Sequence, residues 1–460
     1  MEINCKTIAA LVQGEIVTEA DQTAEVNRVV IDSREVQPGD FFVPLAGEHT
    51  DGHRFLAQAA AKGAVGCFVN QNAEVQLPPG LCVIAVPDTL QALQQLAHKY
   101  RLQFSLPVVA VTGSVGKTTT KDLIAAVLAG RYRVLKTAGN LNNEIGLPIM
   151  LTRLTAETEV AVLEMGMSGF GEIAALAKLA APSIGVITNI GESHLEMLGS
   201  REGIARAKCE LLQYLPADGV AVVNADEPLL EPYWRELDCR VITFGFSNKA
   251  VIRPAAGGKR DKVQLEQAGY PPLLVTPPLP GRHNIYNLLA AVAVGRALGL
   301  DNEEITAGLT QLQLSGMRLE ITTLPTGLTV INDAYNASPT STAAALNVLV
   351  EEAGEHGKLA VLGDMLELGE LEEEGHRQVG RLAAASQLRA LIVLGSRSRW
   401  IAQGAQEAGM PADRIVQCMT HAEAAEAVET WAQPGDWVLL KGSRGMQMEK
   451  VLRVLQRVEA

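Results

Sequence analysis

The segment that most constrains the fold of this chain is an apolar strand that runs directly into a glycine-containing turn and then a helix. Residues 108–121 read VVAVTGSVGKTTTK. Glycines let backbone N–H groups in the turn point inward around phosphate oxygens, and the N-terminus of the next helix favours a bound anion. A lysine there can contact phosphates, and the hydroxyl that follows can be a ligand of Mg²⁺. The pattern predicts a phosphate-binding loop formed by Gly113, Ser114, Val115, Gly116, Lys117, Thr118 and Thr119.

This loop differs in one position from the common pattern GxxxxGK[ST], because Val111 stands where the first glycine of that pattern falls. An ordinary strand–turn–helix connection with a surface lysine is the alternative interpretation. The strand context and the run of threonines after Lys117 favour phosphate binding.

The order of elements along the chain predicts an α/β protein of three domains. At about 150 residues per domain, 460 residues correspond to about three domains. Two series of apolar strands alternate with helical stretches, which is typical of parallel sheets with helices on both faces. We expect a small α/β domain at 1–100, a central parallel-sheet domain with the phosphate loop at 101–317, and a Rossmann-like domain at 318–460.

Individual elements are predicted from the periodicity of apolar residues. In the first domain we expect strands at Val26–Asp32 and Asp40–Val43, and helices at Phe55–Lys62 and Thr89–Tyr100, the last with Thr89 as its N-cap. Further strands are expected at residues 107–112, 160–164, 184–189, 220–224, 241–244, 328–332, 359–362, 390–394 and 436–440. Further helices are expected at residues 118–129, 284–298, 341–352, 374–387, 397–408 and 422–432. The Pro- and Gly-rich stretch 253–281 predicts irregular or hairpin structure.

Composition excludes several classes of protein. Asp and Glu number 52 against 39 for Lys and Arg, a net charge of −13, whereas binding a nucleic-acid backbone needs clustered Lys and Arg. The six cysteines contain no CxxC pair, so reduced thiols are expected. The longest apolar runs fall far short of the roughly 18 residues of a membrane helix, and the first residues do not resemble a signal peptide. We expect a cytoplasmic protein without membrane insertion.

Three further residues are candidates for chemistry. Glu164 ends an apolar strand at its carboxyl edge, where parallel sheets bind ligands, and is a candidate ligand of Mg²⁺; a solvated carboxylate is the alternative. His194 follows the strand near residues 184–189 and could equally be a structural histidine. Lys208 falls within a predicted helix, and its position alone indicates a surface lysine.

Taken together, these residues resemble the Mur ligase family, the ATP-dependent amide-forming enzymes of cell-wall precursor synthesis, over essentially the whole chain. The family's loop has the short form TGxxGKTT, which accounts for the missing first glycine. The resemblance implies ATP and Mg²⁺ as cofactors, with Lys117, Glu164, His194 and Lys208 as catalytic residues. It also implies a metal site formed by Thr118, Glu164, His194 and Lys208, the lysine being carbamylated, so it reverses the surface interpretation of Lys208.

The same resemblance implies further nucleotide contacts. GNLNNEIGLP resembles an Asn-rich loop near the γ-phosphate and metal, with Asn142 and Asn143 as candidates. HNIYN resembles a segment whose asparagine contacts adenine, here Asn287, although alone it would indicate a helix N-cap. GMRLE places Arg318 where the family has an arginine that reaches the phosphates, and VINDAYNASPTS places Asp333 at the ribose.

The outer domains resemble those that bind the two other substrates. DSREVQPGDFFVPLAG and DGHRF resemble a UDP-sugar-binding domain, with Ser33, His49 and Thr50 as uridine-nucleotide contacts. DAYNASP, VLGDMLELG and KGSRGMQME most closely resemble the last-acting branch of the family, which adds D-alanyl-D-alanine to UDP-N-acetylmuramoyl-tripeptide in peptidoglycan synthesis. Asn336 and Arg444 are the candidates to hold the acceptor dipeptide, although Arg444 could equally be a surface residue. The implied reaction proceeds through an acyl phosphate and releases ADP and phosphate, and we expect a monomer.

Four alternative functions share parts of this pattern. The tripeptide-forming ligase and folylpolyglutamate synthase would use the same chemistry on other substrates, but the folate enzyme lacks the N-terminal UDP-binding domain. A P-loop protein that uses ATP only as a switch is disfavoured, because the full set of catalytic residues is present. A nucleic-acid-dependent ATPase fits poorly with the negative charge.

Overall fold

The computed structural model describes residues 1, 3–47, 50–192, 194–255 and 262–457. In this part of the chain, the strands form three sheets that follow one another in sequence. No helix of these residues is both long and apolar enough to cross a bilayer. All six cysteines are buried free thiols, as predicted.

The first sheet orders its strands β1-β5-β4-β3-β2 within the described residues, parallel except for the β1–β5 pair. Its strands are β1 (Glu15–Ile16), β2 (Val29–Val30), β3 (Phe41–Phe42), β4 (Gly66–Asn70) and β5 (Cys82–Val86). Its helices are α1 (Cys5–Val12), α2 (Leu56–Ala61) and α3 (Thr89–Arg101), with a 3-10 turn at Gly52–Phe55 before α2. The strand predicted at Val26–Asp32 is shortened to β2, because the side chain of Asp32 accepts from the N–H of Arg34 and turns the chain.

The N-cap of α3 was predicted wrongly. The side chain of Asp88, not of Thr89, accepts from the backbone N–H of Gln91, at 2.7 Å. The hydroxyl of Thr89 instead donates to the carbonyl oxygen of Pro44 at 2.6 Å, in a buried contact. Both residue types cap helices, so the local pattern could not choose between them.

Asp88→Ala is therefore expected to open the first turn of α3. Loss of an N-cap costs about 1 kcal/mol, so the Gln91 amide should exchange its hydrogen about fivefold faster. Hydrogen exchange read by mass spectrometry measures this, with Thr89→Val as the matched control that keeps the cap. Faster exchange in the Thr89 variant alone would assign the cap to Thr89.

The central sheet orders its strands β14-β13-β12-β11-β10-β9-β6-β8-β7 in the described chain. Its strands are β6 (Val108–Thr112), β7 (Val134–Lys136), β8 (Val160–Glu164), β9 (Ile184–Ile187), β10 (Val220–Asn224), β11 (Arg240–Phe244), β12 (Ile252–Pro254), β13 (Val263–Gln267) and β14 (Leu273–Val275). The pairs from β7 to β12 are parallel, whereas β12–β13 and β13–β14 are antiparallel. The sheet is thus not wholly parallel, and the hairpin expected within 253–281 is present. A short turn can join only antiparallel neighbours.

Helices cover both faces of this sheet. They are α4 (Lys117–Ala129), α5 (Gly146–Leu151), α6 (Glu172–Ala180), α7 (Leu195–Leu198), α8 (Arg201–Cys209), α9 (Glu231–Trp234), α10 (Arg282–Ala297) and α11 (Asn302–Leu309), with 3-10 turns at Glu210–Tyr214 and Pro228–Leu230. Strand β6 alternates between two cores: Val109 and Val111 pack toward α4 and α10, and Val108 and Ala110 toward the opposite layer. Because β6 is buried on both faces, the loop that follows it has a rigid base.

The C-terminal sheet orders its strands β15-β16-β20-β17-β18-β19 among the described residues, parallel except at the β15 edge. Its strands are β15 (Glu320–Thr323), β16 (Thr329–Asn332), β17 (Lys358–Gly363), β18 (Ala390–Leu394), β19 (Ile415–Cys418) and β20 (Trp437–Lys441). Its helices are α12 (Pro339–Ala353), α13 (Glu372–Ala385), α14 (Arg399–Glu407), α15 (His421–Trp431) and α16 (Glu449–Leu455), with 3-10 turns at Gly369–Leu371, Ala412–Arg414 and Arg444–Met446. The three-domain α/β fold predicted from the sequence is confirmed.

Candidate active site

The loop between β6 and α4 has a backbone that two of its glycines make possible. Gly113 has φ of 150° and Gly116 has φ of 83°. A Cβ at Gly113 would lie 1.9 Å from Thr188 Oγ1, and one at Gly116 would lie 2.6 Å from Asn287 Oδ1. Larger residues at either position would push the loop away from these neighbours.

The end of strand β9 braces this loop. The N–H of Ser114 donates to the carbonyl oxygen of Asn189 at 3.0 Å, and the N–H of Val115 donates to Asn189 Oδ1 at 2.9 Å. Thr188 Oγ1 and Asn189 Nδ2 each donate to the carbonyl oxygen of Val115 at 2.8 Å. Sequence reasoning missed both bracing residues, although polar side chains directly after a buried strand could have indicated them.

Lys117 lies at the start of α4 with its ammonium turned back over the loop. Its Nζ donates to the carbonyl oxygen of Gly113 at 2.8 Å. Burial lowers the pKa of Lys117 and the charge of Arg318 adds to this, while the attraction of Glu164 opposes it. The ammonium is therefore held by the groups that surround the expected phosphate position.

Glu164 offers an oxygen to a ligand. This carboxylate is buried, and its Oε1 accepts from Asn142 Nδ2 at 2.9 Å. The backbone N–H of Glu164 donates to the hydroxyl of Thr137 at 2.9 Å, which fixes the end of β8. Oε2 of Glu164 is buried without a hydrogen-bond partner, as is Oγ of Ser114 in the same cleft. Buried oxygens without partners are costly, and a hard cation such as Mg²⁺ would satisfy them.

The donors present fit a magnesium site built from hydroxyls and one carboxylate. Within the ranges described above, no group of three or more His, Cys, Asp or Glu side chains comes together to hold a metal. Thr118 is buried at the first turn of α4 and lines the cleft with Glu164. Mg²⁺ commonly takes one or two protein oxygens and completes its shell with water and substrate phosphates.

The Glu164→Gln variant tests whether Glu164 binds a cation or only contributes to the packing of the cleft. Glutamine keeps the oxygen that accepts from Asn142 but removes the charge, so turnover should fall about 100-fold. The unfolding temperature of the ligand-free protein should not fall, because the charge is removed from a carboxylate whose Oε2 is buried without a hydrogen-bond partner. Coupled measurement of ADP release and thermal unfolding tests this. Glu210→Gln is the matched control, since Glu210 caps backbone N–H groups at Gly171 and Ala174 instead. Parallel losses of activity and stability in the Glu164 variant would contradict the metal role.

His194 and Lys208 lie close to the loop. His194 has φ of 63°, and its Nδ1 lies 3.4 Å from Oε2 of Glu367 in the C-terminal domain. Burial, helped by the positive charges of Lys117 and Lys208, lowers the pKa of His194 to about 4, so the imidazole is neutral and able to bind a metal. This neutral form agrees with the metal role predicted for His194.

Lys208 is only 1% exposed on α8, so the surface position that its pattern alone indicated is wrong. Burial, and the nearby charge of Lys117, lowers its pKa well below the ordinary value. In the described part of the chain, its ammonium has no carboxylate partner. Burial of this kind favours the neutral, nucleophilic form of a lysine amine.

Except for Gly113, the nucleotide candidates of the central and C-terminal domains line one cleft of about 500 Å³. Asn287 accepts from the hydroxyl of Thr120 at 3.0 Å and donates to Asn284 at 3.0 Å, which fixes it beside the loop. The guanidinium of Arg318 lies 4.1 Å above the ring of Tyr335. The predicted candidates on the cleft are Ser114, Val115, Gly116, Lys117, Thr118, Thr119, Asn142, Asn143, Glu164, His194, Asn287, Arg318, Asp333 and Asn336.

A cleft residue that the sequence reasoning missed is Lys441. Its Nζ lies 2.5 Å from Oδ2 of Asp333 and donates to the carbonyl oxygen of Asn336 at 2.9 Å. Asp333 therefore already has a cationic partner, which fixes the position of its carboxylate in the cleft. The motif KGSRG contains both Lys441 and Arg444, but only Arg444 was predicted as a site residue from the sequence.

The remaining candidate residues in the described part of the chain lie outside the cleft, and two of them bind neighbouring side chains. Arg444 does not line the cleft of the described chain: its guanidinium binds both carboxylate oxygens of Glu449, at 2.8 and 3.0 Å. Ser33 donates to Gln58 at 2.8 Å in the N-terminal domain, and Thr50 is exposed there. His49 falls outside the described residues.

Two asparagines on the cleft also serve the local backbone. The side chain of Asn143 accepts from the N–H of Gly146, the first residue of α5, at 2.9 Å. The side chain of Asn336 accepts from the N–H of Ala337 at 2.9 Å. Both residues also line the cleft.

Comparison with known proteins agrees with this geometry. Three family models match in succession: the Mur ligase family catalytic domain over residues 25–101, the Mur ligase middle domain over 111–295, and the Mur ligase glutamate ligase domain over 317–444. The UDP-N-acetylmuramoyl-tripeptide–D-alanyl-D-alanine ligase of Bacillus subtilis is 41% identical over 457 residues, with 98% of this chain and 97% of that protein covered.

Solved structures give the same result. A crystal structure of MurF from Acinetobacter baumannii superposes with a TM-score of 0.88 at 32% identity, covering 99% of both chains. MurF ligase from Thermotoga maritima in complex with ADP gives a TM-score of 0.79 at 29% identity, covering 94% of this chain and 97% of that one. The chain belongs to the Mur ligase family and, within it, to the MurF type.

Proposed function

We propose that this chain is an ATP-dependent ligase that joins D-alanyl-D-alanine to UDP-N-acetylmuramoyl-tripeptide and releases ADP and phosphate. The observation that carries the proposal is the cleft between the central and C-terminal sheets. It brings the phosphate loop, the unpartnered oxygen of Glu164 and His194 together, in a chain that is 41% identical to a ligase with that name. The C-terminal segments DAYNASP, VLGDMLELG and KGSRGMQME, which most closely resemble this branch of the family, support the same proposal.

ATP is the substrate that fits the loop. The N–H groups at the start of α4 and the ammonium of Lys117 face the site where the β- and γ-phosphates would lie. Asn287 lies beside Gly116 and would contact the adenine, and Asp333, which binds Lys441, would contact the ribose. These positions agree with the roles that the family resemblance implies.

The first chemical step joins two anions. The terminal carboxylate of the tripeptide attacks the γ-phosphorus of ATP, the bond to the bridging oxygen of ADP breaks, and an acyl phosphate forms. Lys117 and Arg318 would offset the repulsion between carboxylate and phosphate. Thr118, Glu164 and His194 would hold Mg²⁺, which when bound supplies further positive charge to the phosphate oxygens.

The second step forms the amide. The amine of D-alanyl-D-alanine attacks the acyl carbon, the amine loses its proton, and phosphate leaves from the tetrahedral intermediate. Asn336, on the cleft, would orient the dipeptide, whereas Arg444 would have to exchange Glu449 for the dipeptide's carboxylate. The N-terminal domain, with Ser33, would hold the UDP end of the other substrate.

Lys208 would contribute as a carbamate. A neutral buried amine can attack CO₂, lose a proton and become an anionic oxygen donor that suits Mg²⁺. The burial of Lys208 and its lowered pKa favour that neutral form.

Dependence of ADP release on each substrate tests the function. We expect release only when ATP, the UDP-tripeptide and D-alanyl-D-alanine are all present, with oxygen-18 from the tripeptide carboxylate recovered in the phosphate. Equal release without the acceptor would instead identify an ATPase or a nucleotide switch. Phosphate free of oxygen-18 would contradict the acyl phosphate.

A further inference from the structure

A cluster of charged side chains lies just beyond the phosphate loop, where α4 packs beside the end of β7. Lys121 and Asp122 are both fully buried there. Asp122 Oδ1 accepts from Lys136 Nζ at 2.8 Å and lies 3.2 Å from Lys121 Nζ. Burial alone would raise the pKa of Asp122, but the two lysines outweigh it and lower the pKa, so the group is a carboxylate. Burying charges costs desolvation free energy, so stability alone explains such a cluster poorly.

The cluster binds the segment that connects the central and C-terminal sheets. The second oxygen of Asp122, Oδ2, accepts from the backbone N–H of Ser315 at 2.8 Å. Lys121 Nζ donates to Ser315 Oγ at 3.2 Å, and Lys136 Nζ donates to the carbonyl oxygen of Gln313 at 2.9 Å. Residues 313–315 are thereby fixed to the helix whose N-terminus carries the phosphate loop.

The residues after this anchor are bound to the C-terminal domain instead. The carbonyl oxygen of Met317 accepts from the N–H of Tyr335 at 3.2 Å. The N–H of Leu319 donates to Asp333 Oδ1 at 3.2 Å. Gly316 lies between the two sets of bonds, and a Cβ built on it meets nothing within 4 Å. Gly316 is therefore the point at which one domain can turn relative to the other.

Arg318 lies two residues beyond this pivot. Its guanidinium stacks on Tyr335 and lines the nucleotide cleft, so it moves with the C-terminal domain. Two residues span at most about 7 Å, so the location of Gly316 relative to the phosphate loop limits where Arg318 can reach. Asp122 controls that location through Ser315, although it is not among the described residues that line the cleft.

We propose that Asp122 is a positioning residue of the ligase: by holding Ser315 on the helix of the phosphate loop, it fixes the pivot at Gly316 and places Arg318 against the nucleotide phosphates. This inference rests on the proposed function, since it requires a nucleotide in the cleft. It predicts that Asp122 and Arg318 contribute to nucleotide affinity as one unit. A side chain that merely stabilised the fold would act independently of Arg318.

A double-mutant cycle on the full chain tests the coupling, with calorimetric titration of ADP and Mg²⁺ as the readout. We expect Asp122→Asn to weaken ADP binding about tenfold and Arg318→Ala about thirtyfold. The double variant should bind within about twofold of Arg318→Ala alone. Losses that multiply to about 300-fold would show independent action and overturn the inference. Failure of the unmodified chain to bind ADP would instead overturn the proposed function, so the two failures are distinguishable.

Two further variants distinguish the proposed coupling from a loss of ADP affinity that is caused by misfolding. Lys136→Met removes the bonds to both Asp122 and Gln313 from a partly exposed side chain, and it should show the same loss of additivity with Arg318→Ala. Asp436→Asn is the matched control: that buried carboxylate binds Arg389 at 2.5 Å in the C-terminal domain, away from the linker. Its ADP affinity should stay within about twofold of the unmodified chain. Equal losses in the Asp436 and Asp122 variants would overturn the inference.

Discussion

Replacing Lys117 by alanine is expected to reduce ligase turnover about 100- to 1,000-fold. The ammonium is held at 2.8 Å from the carbonyl oxygen of Gly113, directly over the loop in which the phosphates would lie. It is the loop's own cation, and the charge that develops during phosphoryl transfer has to be balanced within the cleft. The fold should survive, because the loop backbone is braced by Thr188 and Asn189 and not by this side chain.

The measurement is steady-state ADP release with all three substrates, accompanied by thermal unfolding of each variant. Lys178→Ala is the matched control, because Lys178 is an exposed lysine on another helix of the same domain. Its turnover should equal that of the unmodified chain. Retention of more than about one-tenth of the activity by Lys117→Ala would contradict the role of this loop.

Replacing Lys208 by alanine should also reduce ligase turnover strongly, and an added short carboxylate should partly restore it. If the lysine acts as a carbamate, its loss removes an anionic oxygen donor and leaves a space on α8 beside the cleft. A short carboxylate such as formate or acetate can then enter that space and supply the oxygen. We expect turnover to fall about 100-fold or more and to rise again, at least about tenfold, when the carboxylate is added.

The Lys208→Met variant is the control that shows whether the rescue requires the space left by the lysine side chain. Methionine is unbranched and close to lysine in length, so it fills the space that the added carboxylate needs. It should lose as much activity as the alanine variant and show no rescue. Rescue of both variants, or of neither, would contradict a carbamate at this position.

The sequence predicted much of the fold because the sheets are buried. Strands β8, β10 and β18 have the predicted bounds, since parallel strands covered on both faces are continuous apolar runs between polar turns. Strand β2 and the cap of α3 were predicted less well. Their limits depend on which of two polar neighbours bonds to the backbone, and the local pattern does not contain that choice.

The candidate site was predictable where function leaves a local pattern. The turn at Gly113–Thr119 and the strand-end carboxylate of Glu164 are such patterns. Lys208 was assigned only by resemblance, because a lysine within a helix carries no indication of tertiary burial. Lys441 and the bond between Asp122 and Ser315 join residues far apart in the chain, and only the folded structure brings them together.

Mass spectrometry of the reaction product tests the central claim most directly. Incubation of the chain with ATP, Mg²⁺, UDP-N-acetylmuramoyl-tripeptide and D-alanyl-D-alanine should give a UDP-linked pentapeptide, heavier by the dipeptide less one water. Incubation with UDP-N-acetylmuramoyl-dipeptide and a diamino acid should give no new amide. A diamino acid joined to the dipeptide substrate, with no pentapeptide formed, would contradict the assigned activity and place the chain in the tripeptide-forming branch of the family.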